Sequence, residues 1–122
     1  LLADVVDSWH PQIKACQGLD HAFVIDPPPG GGLRPAAELR HPPSGRTLRI
    51  ATDQPSLQVY TGQGLAGADN ITIPGGPVSA YCGIALETQD LPDAPNRPDF
   101  PSVELRPGRV YRRTTEWAFG VG

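Results

Sequence analysis

The sequence is poor in the residues that build metal sites and disulfide frameworks. Its 122 residues include only two cysteines, Cys16 and Cys82, and these are widely separated with no C-x-x-C spacing. This pattern indicates neither a zinc site nor a dense disulfide framework, and it favours two reduced structural thiols in a cytoplasmic protein. We therefore expect no bound metal.

Long apolar runs, an excess of positive charge and the common catalytic motifs are also absent. No stretch approaches the ~20 apolar residues of a membrane span, and Leu1 to Ala3 leads directly into Asp4 and Asp7, unlike a signal peptide. The formal net charge is −3, so the chain has no electrostatic footprint for nucleic acid or an anionic membrane. There is no G-x-S-x-G elbow, no phosphate loop and no H-E-x-x-H. Because the chain carries no excess of positive charge, we expect a neutral ligand, with neither nucleic acid nor a membrane as partner.

Glycine and proline are abundant instead, with 14 and 15 copies that together make about a quarter of the chain. A hydrophobic content of 39% argues against disorder and for a loop-rich β protein. Residues 1–122 are predicted to form a single domain or part of one, in which residues 1–17 are a connecting segment with weak helical spacing that Pro11 stops. Because the chain begins at Leu1 without methionine, we expect a piece of something longer.

Alternating apolar patterns predict six or seven antiparallel strands. A hairpin is expected where 36–41 and 47–52 flank Pro42-Pro-Ser-Gly45, with Gly45 supplying a positive φ. The other predicted strands are 21–25, 56–61, 81–87, 103–105 and 110–119. Loops are expected at 26–32 and 88–101, and a glycine-rich stretch leads to Pro77. The fold class is therefore all-β.

Three polar residues stand out by their position relative to predicted strands. Asp20 stands at the entry of one strand, Gln58 lies within another, and Glu87 lies near the end of a third. Two acids and an amide in one cleft suit a polyhydroxylated ligand, whose hydroxyls both donate and accept hydrogen bonds. A carboxylate framed by apolar neighbours, as Glu87 is, can also have its pKa raised towards that of a general base.

Structural explanations compete with each of these interpretations. Asp20 is also typical of a turn, Gln58 of an exposed edge strand, and Glu87 of a solvated strand end. His21 is more typical of a hydrogen-bonded structural residue than of an acid or ligand. His10 and His41 are expected to be exposed. The aromatic residues could stack on a sugar but are more typical of the core; they are Trp9, Tyr60, Tyr81 and Trp117.

Five motifs, in order, resemble the C-terminal third of an aldose 1-epimerase, or galactose mutarotase. They are Gly18-Leu-Asp-His-Ala-Phe23, Thr52-Asp-Gln-Pro-Ser-Leu-Gln-Val-Tyr-Thr-Gly62, Gly83-Ile-Ala-Leu-Glu-Thr-Gln89, Pro92-Asp-Ala-Pro-Asn-Arg-Pro-Asp-Phe-Pro101 and Leu105-Arg-Pro-Gly108. The resemblance implies an antiparallel β-sandwich of the galactose mutarotase type, here a C-terminal fragment of it.

The resemblance also implies an activity and roles for three residues. The family interconverts the α and β anomers of galactose, glucose and related aldohexoses without a cofactor. By resemblance Glu87 is the catalytic base, while Asp20 and Gln58 bind and orient the sugar hydroxyls.

The chain departs from the family pattern in one respect. The family's acid is a histidine in its middle region, aided by a second histidine and an arginine, and no position here matches them. We therefore expect this chain to supply the base half of the site, to be inactive in isolation, and to need the remaining N-terminal part of the same enzyme as partner. A truncated sandwich is also expected to expose sheet edges and an apolar face.

Two other functions are compatible with these motifs. One is a catalytically silent relative that binds or senses sugar, although the presence of Glu87 argues against a pure binder. The other is a hexose-6-phosphate 1-epimerase, which a basic cluster at the cleft would support; the arginines Arg97, Arg112 and Arg113 are too scattered to decide.

Overall fold

The computed structural model describes residues 2–27, 30–65 and 71–122. Its contacts divide the chain into two compact units, which are described separately. Unit 1 consists of Leu1–His21 and Gln58–Glu87, and unit 2 consists of Ala22–Leu57 and Thr88–Gly122. The predicted loop at 26–32 and the glycine-rich stretch before Pro77 each fall partly outside the described residues.

Two short helices precede the first strand, where the sequence predicted only a connecting segment. They are α1, Leu2–Val6, and α2, Pro11–Cys16. The helix of the first segment ends at Val6, before Pro11, but the sequence did not predict that Pro11 begins a second helix, α2. The first turn of a helix has no partner for the backbone N–H that proline lacks, so proline is tolerated there.

Strands make up most of the regular structure, and the all-β fold class is confirmed. In chain order the strands of the described residues are β1 Asp20–Val24, β2 Arg34–His41, β3 Arg46–Thr52, β4 Ser56–Tyr60, β5 Thr72–Ile73, β6 Gly76–Pro77, β7 Ala85–Gln89 and β8 Thr115–Val121. They form two three-stranded sheets, of order β1-β4-β7 and β2-β3-β8, and the two-stranded ribbon β5-β6.

The predicted hairpin is confirmed as β2 and β3, which pair antiparallel from Arg34↔Thr52 to His41↔Arg46. A short 3₁₀ turn over Pro42–Ser44 joins them, and Gly45 follows with φ of +67°. Leu39 pairs with Leu48, and the register shifts between Pro35 and Ala37. Since β2 is an edge strand, proline can occupy this bulge without breaking a central ladder.

Other predicted elements have different bounds. The strand predicted at 81–87 begins at Ala85 and continues to Gln89, because Tyr81 has φ of +61° and leaves the extended conformation. The strand predicted at 110–119 begins only at Thr115, and 103–105 is not a strand. The ribbon β5-β6 lies in a segment predicted to be loop.

The core of each unit is small. In unit 2, Ile50 is 1% exposed and lies between Ala37 and Trp117 across the sheet. In unit 1, Ile13 and Leu19 are buried. The prediction that aromatic residues fill the core is wrong for three of the four: Trp9, Tyr81 and Trp117 are 89%, 52% and 46% exposed.

The described helices are all too short and too polar to cross a membrane.

Candidate functional site

Asp20 and Gln58 meet through their side chains. The amide Nε2 of Gln58 donates a hydrogen bond to Oδ1 of Asp20 at 2.6 Å. Asp20 is the first residue of β1 and Gln58 the central residue of β4, and these strands are neighbours in their sheet. The carboxylate and the amide retain further capacity to accept and donate hydrogen bonds, which is what a polyhydroxylated ligand requires.

Glu87 lies on β7, the other neighbour of β4 in the same sheet. The three candidate residues therefore lie on three adjacent strands, and each of the three residues belongs to unit 1. The Glu87 side chain is exposed, whereas Leu86 and Thr88 on either side of it are partly buried. The apolar frame expected from the sequence consequently does not enclose Glu87 in this chain, because alternate residues of a strand point to opposite faces.

The start of β1 is held by a hydrogen-bonded group that we call the Leu19–Thr61 clamp, formed by Leu19, Thr61 and Gln63. The N–H of Leu19 donates to Oγ1 of Thr61 at 3.0 Å, and the N–H of Thr61 donates to the carbonyl of Leu19 at 3.1 Å. Nε2 of Gln63 donates to the same carbonyl at 3.0 Å, and Thr61 Oγ1 donates to Gln63 Oε1 at 2.8 Å. Both backbone groups of Leu19 are thus satisfied directly before Asp20.

Sequence reasoning missed this clamp. Thr61 is 4% exposed and lies at the end of a motif that drew attention only to Gln58. Gly18 is packed against this clamp in the structure: a Cβ at this position would come within 2.6 Å of Thr61 Oγ1 and 2.9 Å of Gln63 Oε1. A side chain in place of Gly18 would therefore displace the clamp.

The histidines do not take part in the described contacts between Asp20 and Gln58. Nδ1 of His21 accepts a hydrogen bond from the backbone N–H of Asp20 at 3.0 Å, in agreement with the structural interpretation of this residue. His10 and His41 are exposed, as predicted. Within residues 2–27, 30–65 and 71–122, no group of three or more His, Cys, Asp or Glu side chains could hold a metal ion.

A wide cavity of about 1060 Å³ lies elsewhere in unit 1. It is lined by residues of α1 and α2 together with Thr61, Gln63 and the segment 80–84. Asp20, Gln58 and Glu87 do not line it. The candidate site is therefore open strand surface rather than this cavity.

Comparison with known proteins gives one consistent result. The family model described as Aldose 1-epimerase matches residues 5–118. Galactose mutarotase of Rattus norvegicus is 39% identical and galactose mutarotase of Homo sapiens 40% identical over 115 residues, which cover 92% of this chain and 32% of each relative. Aldose 1-epimerase of Escherichia coli K12 is 36% identical over 108 residues, 87% of this chain and 30% of that protein. The chain thus spans about a third of the length of these curated relatives.

Proposed function

This chain belongs to the aldose 1-epimerase family, and from that membership we propose that it supplies the base half of a site that interconverts the α and β anomers of galactose- and glucose-type aldoses. The observation that carries the proposal is that Asp20, Gln58 and Glu87, all residues of unit 1, lie on three adjacent strands of one sheet. The family match makes sugar the ligand class that this group of polar side chains would serve.

In the proposed mechanism Glu87 removes the proton from the C1 hydroxyl, while an acid protonates the ring oxygen. The C1–O5 bond breaks to give the open-chain aldehyde, the C1–C2 bond rotates, and reclosure on the other face gives the other anomer. The exposure of Glu87 supports this role, because an incoming sugar hydroxyl can reach the carboxylate.

Asp20 and Gln58 would orient the sugar while its ring is open. Their 2.6 Å hydrogen bond fixes the amide relative to the carboxylate, so their remaining donors and acceptors have a defined geometry before the sugar arrives. Holding the aldehyde for reclosure is a positioning task, and a preorganised pair lowers its entropic cost.

An unphosphorylated aldose fits the chain better than a hexose 6-phosphate. Arg97 makes two hydrogen bonds to Asp99, at 2.9 and 3.1 Å, which hold the pKa of that carboxyl below its ordinary value. Arg113 pairs with Asp90 at 3.5 Å. Two of the three arginines considered for phosphate are therefore already paired with acids, which argues against phosphate recognition by them.

The acid half would come from the remaining N-terminal part of the enzyme. Two observations support such a partner: the chain spans about a third of its curated relatives, and β8 ends the order β2-β3-β8 in the described residues. Trp117, Phe119 and Val121 alternate along β8 and are 46%, 77% and 81% exposed. An apolar edge strand of this kind is a surface for pairing with further strands.

Cytoplasmic location is part of the same proposal, supported by the free thiols of Cys16 and Cys82.

Replacing Glu87 by glutamine in the complete enzyme tests the proposed base. Glu87→Gln keeps the shape but removes the proton acceptor, so catalysed mutarotation should fall by roughly 10²–10⁴-fold. The measurement is the change in optical rotation of freshly dissolved α-D-galactose, corrected for a buffer blank.

Glu116→Gln is the matched control, because Glu116 is another exposed glutamate on a strand and should retain full activity. A Glu87→Gln enzyme within threefold of wild type would exclude Glu87 as the base. Bound galactose without turnover in the wild type would favour the silent sugar-binding relative. The isolated 122-residue chain should not exceed the blank.

A further inference from the structure

We propose that Thr61 is a positioning residue that sets the register of β1 against β4, so that the Asp20 carboxylate meets the Gln58 amide; its consequence for sugar binding rests on the function proposed above. Thr61 follows β4 directly, and its partner Leu19 directly precedes β1. The contact therefore lies one residue from Asp20 and three from Gln58.

The clamp departs from ordinary antiparallel pairing in a way that makes the hydroxyl necessary. In a regular hydrogen-bonded pair, Leu19 N–H would donate to the backbone carbonyl of its opposite residue. Here it donates to Oγ1 of Thr61, at 3.0 Å, while Thr61 N–H donates to the Leu19 carbonyl. The side chain thus replaces a backbone acceptor at the last paired position.

Burial makes this arrangement sensitive to loss of one atom. Thr61 lines the cavity of unit 1, but Leu19 does not line it and is 7% exposed, so the Leu19 N–H has poor access to water as a substitute acceptor. An unsatisfied buried donor is costly, and the strand end would move to recover a partner. Because side chains alternate between the two faces, a slip of one residue would carry Asp20 away from the face that Gln58 occupies.

Gln63 orients the hydroxyl of Thr61 within the clamp. Its Nε2 donates to the Leu19 carbonyl, and its Oε1 accepts from the Thr61 hydroxyl at 2.8 Å. Thr61 Oγ1 also lies 3.3 Å from that carbonyl, and the shorter contact assigns its single proton to Gln63. With this orientation the lone pairs of Oγ1 face Leu19 N–H, as the clamp requires.

Nuclear magnetic resonance of the 122-residue chain tests the proposal without any need for turnover. Thr61→Val removes the hydroxyl at nearly constant shape, and Thr61→Ser restores it. Thr52→Val is the matched control, because Thr52 is also buried and donates a side-chain hydrogen bond, to the carbonyl of Thr114 in unit 2. We expect hydrogen exchange at the Leu19 amide to accelerate at least about tenfold in Thr61→Val, since its acceptor is lost.

The decisive readout is the side-chain amide resonance of Gln58. It should move towards the free-amide position in Thr61→Val and keep its wild-type position in Thr61→Ser and Thr52→Val. An unchanged Gln58 resonance in Thr61→Val, or an equal change in Thr52→Val, would overturn the positioning role. If Thr61→Val does not fold, Gln63→Leu removes one arm of the clamp, and it should shift the Gln58 resonance in the same direction; no shift there would overturn the role.

Titration with D-galactose separates this proposal from the function on which it rests. In the complete enzyme, absence of any galactose-induced shift at Asp20 and Gln58 would count against the sugar site, while the Gln58 resonance of the 122-residue variants would still decide the clamp. Where galactose binds, we expect Thr61→Val to weaken its affinity about tenfold relative to Thr61→Ser. Equal affinities would overturn the role of Thr61 in the sugar site.

Discussion

The β2-β3-β8 sheet of unit 2 and the strand ends around Asp20 in unit 1 use hydrogen bonds differently. In unit 2 the hairpin β2-β3 and its neighbour β8 pair by backbone bonds over almost their whole lengths, from Arg46↔Val121 to Thr52↔Thr115 in the second pair. In unit 1 the decisive contacts are made by side chains, namely Gln58 to Asp20 and Thr61 to Leu19. Regular pairing builds a scaffold, whereas side-chain hydrogen bonds at strand ends place individual functional groups.

This difference implies that the two units respond differently to substitution. A ladder distributes its stability over many equivalent bonds, so its most sensitive position is the packed apolar residue at its centre. A clamp depends on single atoms, so its loss should change the geometry of the site more than the stability of the fold.

The largest expected effect on stability is that of Ile50→Ala in unit 2. Ile50 is 1% exposed, and truncation of a buried isoleucine costs about 2–5 kcal/mol through lost burial and the cavity left behind. In a Trp9→Phe background, where Trp117 is the remaining tryptophan of the sequence, this cross-strand partner of Ile50 reports unfolding of the sheet by fluorescence in a denaturant titration.

Ile73→Ala supplies the comparison in unit 1, because Ile73 is 46% exposed and should change the free energy of unfolding by less than about 0.5 kcal/mol. Equal losses for the two variants would contradict the description of Ile50 as the centre of the ladder.

The hairpin of unit 2 was predictable because its determinants are local. Leu48 and Ile50 are two residues apart on one strand, Leu39 pairs with Leu48 across the turn, and Pro42 to Gly45 provides that turn, so pattern and turn chemistry agree within 20 residues of chain. The bounds of β8 were not predictable in this way. Its alternating pattern begins before Thr115, but β8 starts where its partner β3 ends, at Thr52. A strand's length is set by its partner as well as by its own sequence.

The candidate site residues are a prediction from the motifs and not from periodicity alone. The resemblance identified Asp20, Gln58 and Glu87, and the structure brings Asp20 and Gln58 into contact. Burial was harder to predict: Glu87 is exposed despite its apolar neighbours, and Trp9 is 89% exposed. The clamp was missed because Leu19 and Thr61 are far apart in sequence, and a threonine at a strand end has no distinctive pattern.

A smaller expected effect on the site is that of Asp20→Asn in the complete enzyme. The asparagine keeps an oxygen that can accept the Gln58 bond but loses the charge that strengthens hydrogen bonds to sugar hydroxyls. We expect KM for galactose to rise about tenfold, with a smaller fall in kcat than Glu87→Gln produces.

Steady-state mutarotation at several galactose concentrations separates these two constants. Asp26→Asn is the control at an exposed aspartate of unit 2 and should leave both unchanged. A fall in kcat as large as that of Glu87→Gln, at constant KM, would contradict an orienting role for Asp20.

The smallest expected effect is that of Glu38→Gln on the surface of the unit 2 ladder. Arg49 and Arg40 each donate to the Glu38 carboxylate at 3.1 Å, and these hydrogen bonds hold its pKa below the ordinary value of 4.5. A carboxyl with a lowered folded-state pKa stabilises the fold above its unfolded pKa, and this contribution is lost as the pH falls through the folded value. The side chains are largely exposed, so the effect on stability should be small and screened by salt.

Thermal unfolding measures this effect. The unfolding temperature of Glu38→Gln should be slightly below that of the wild type at pH 7, and the two temperatures should converge when the pH is well below 4.5. A difference that persisted in acid would mean that Glu38 stabilises the sheet through packing rather than charge. The ion pairs of Glu38 with Arg40 and Arg49 would then contribute nothing measurable to the stability of unit 2.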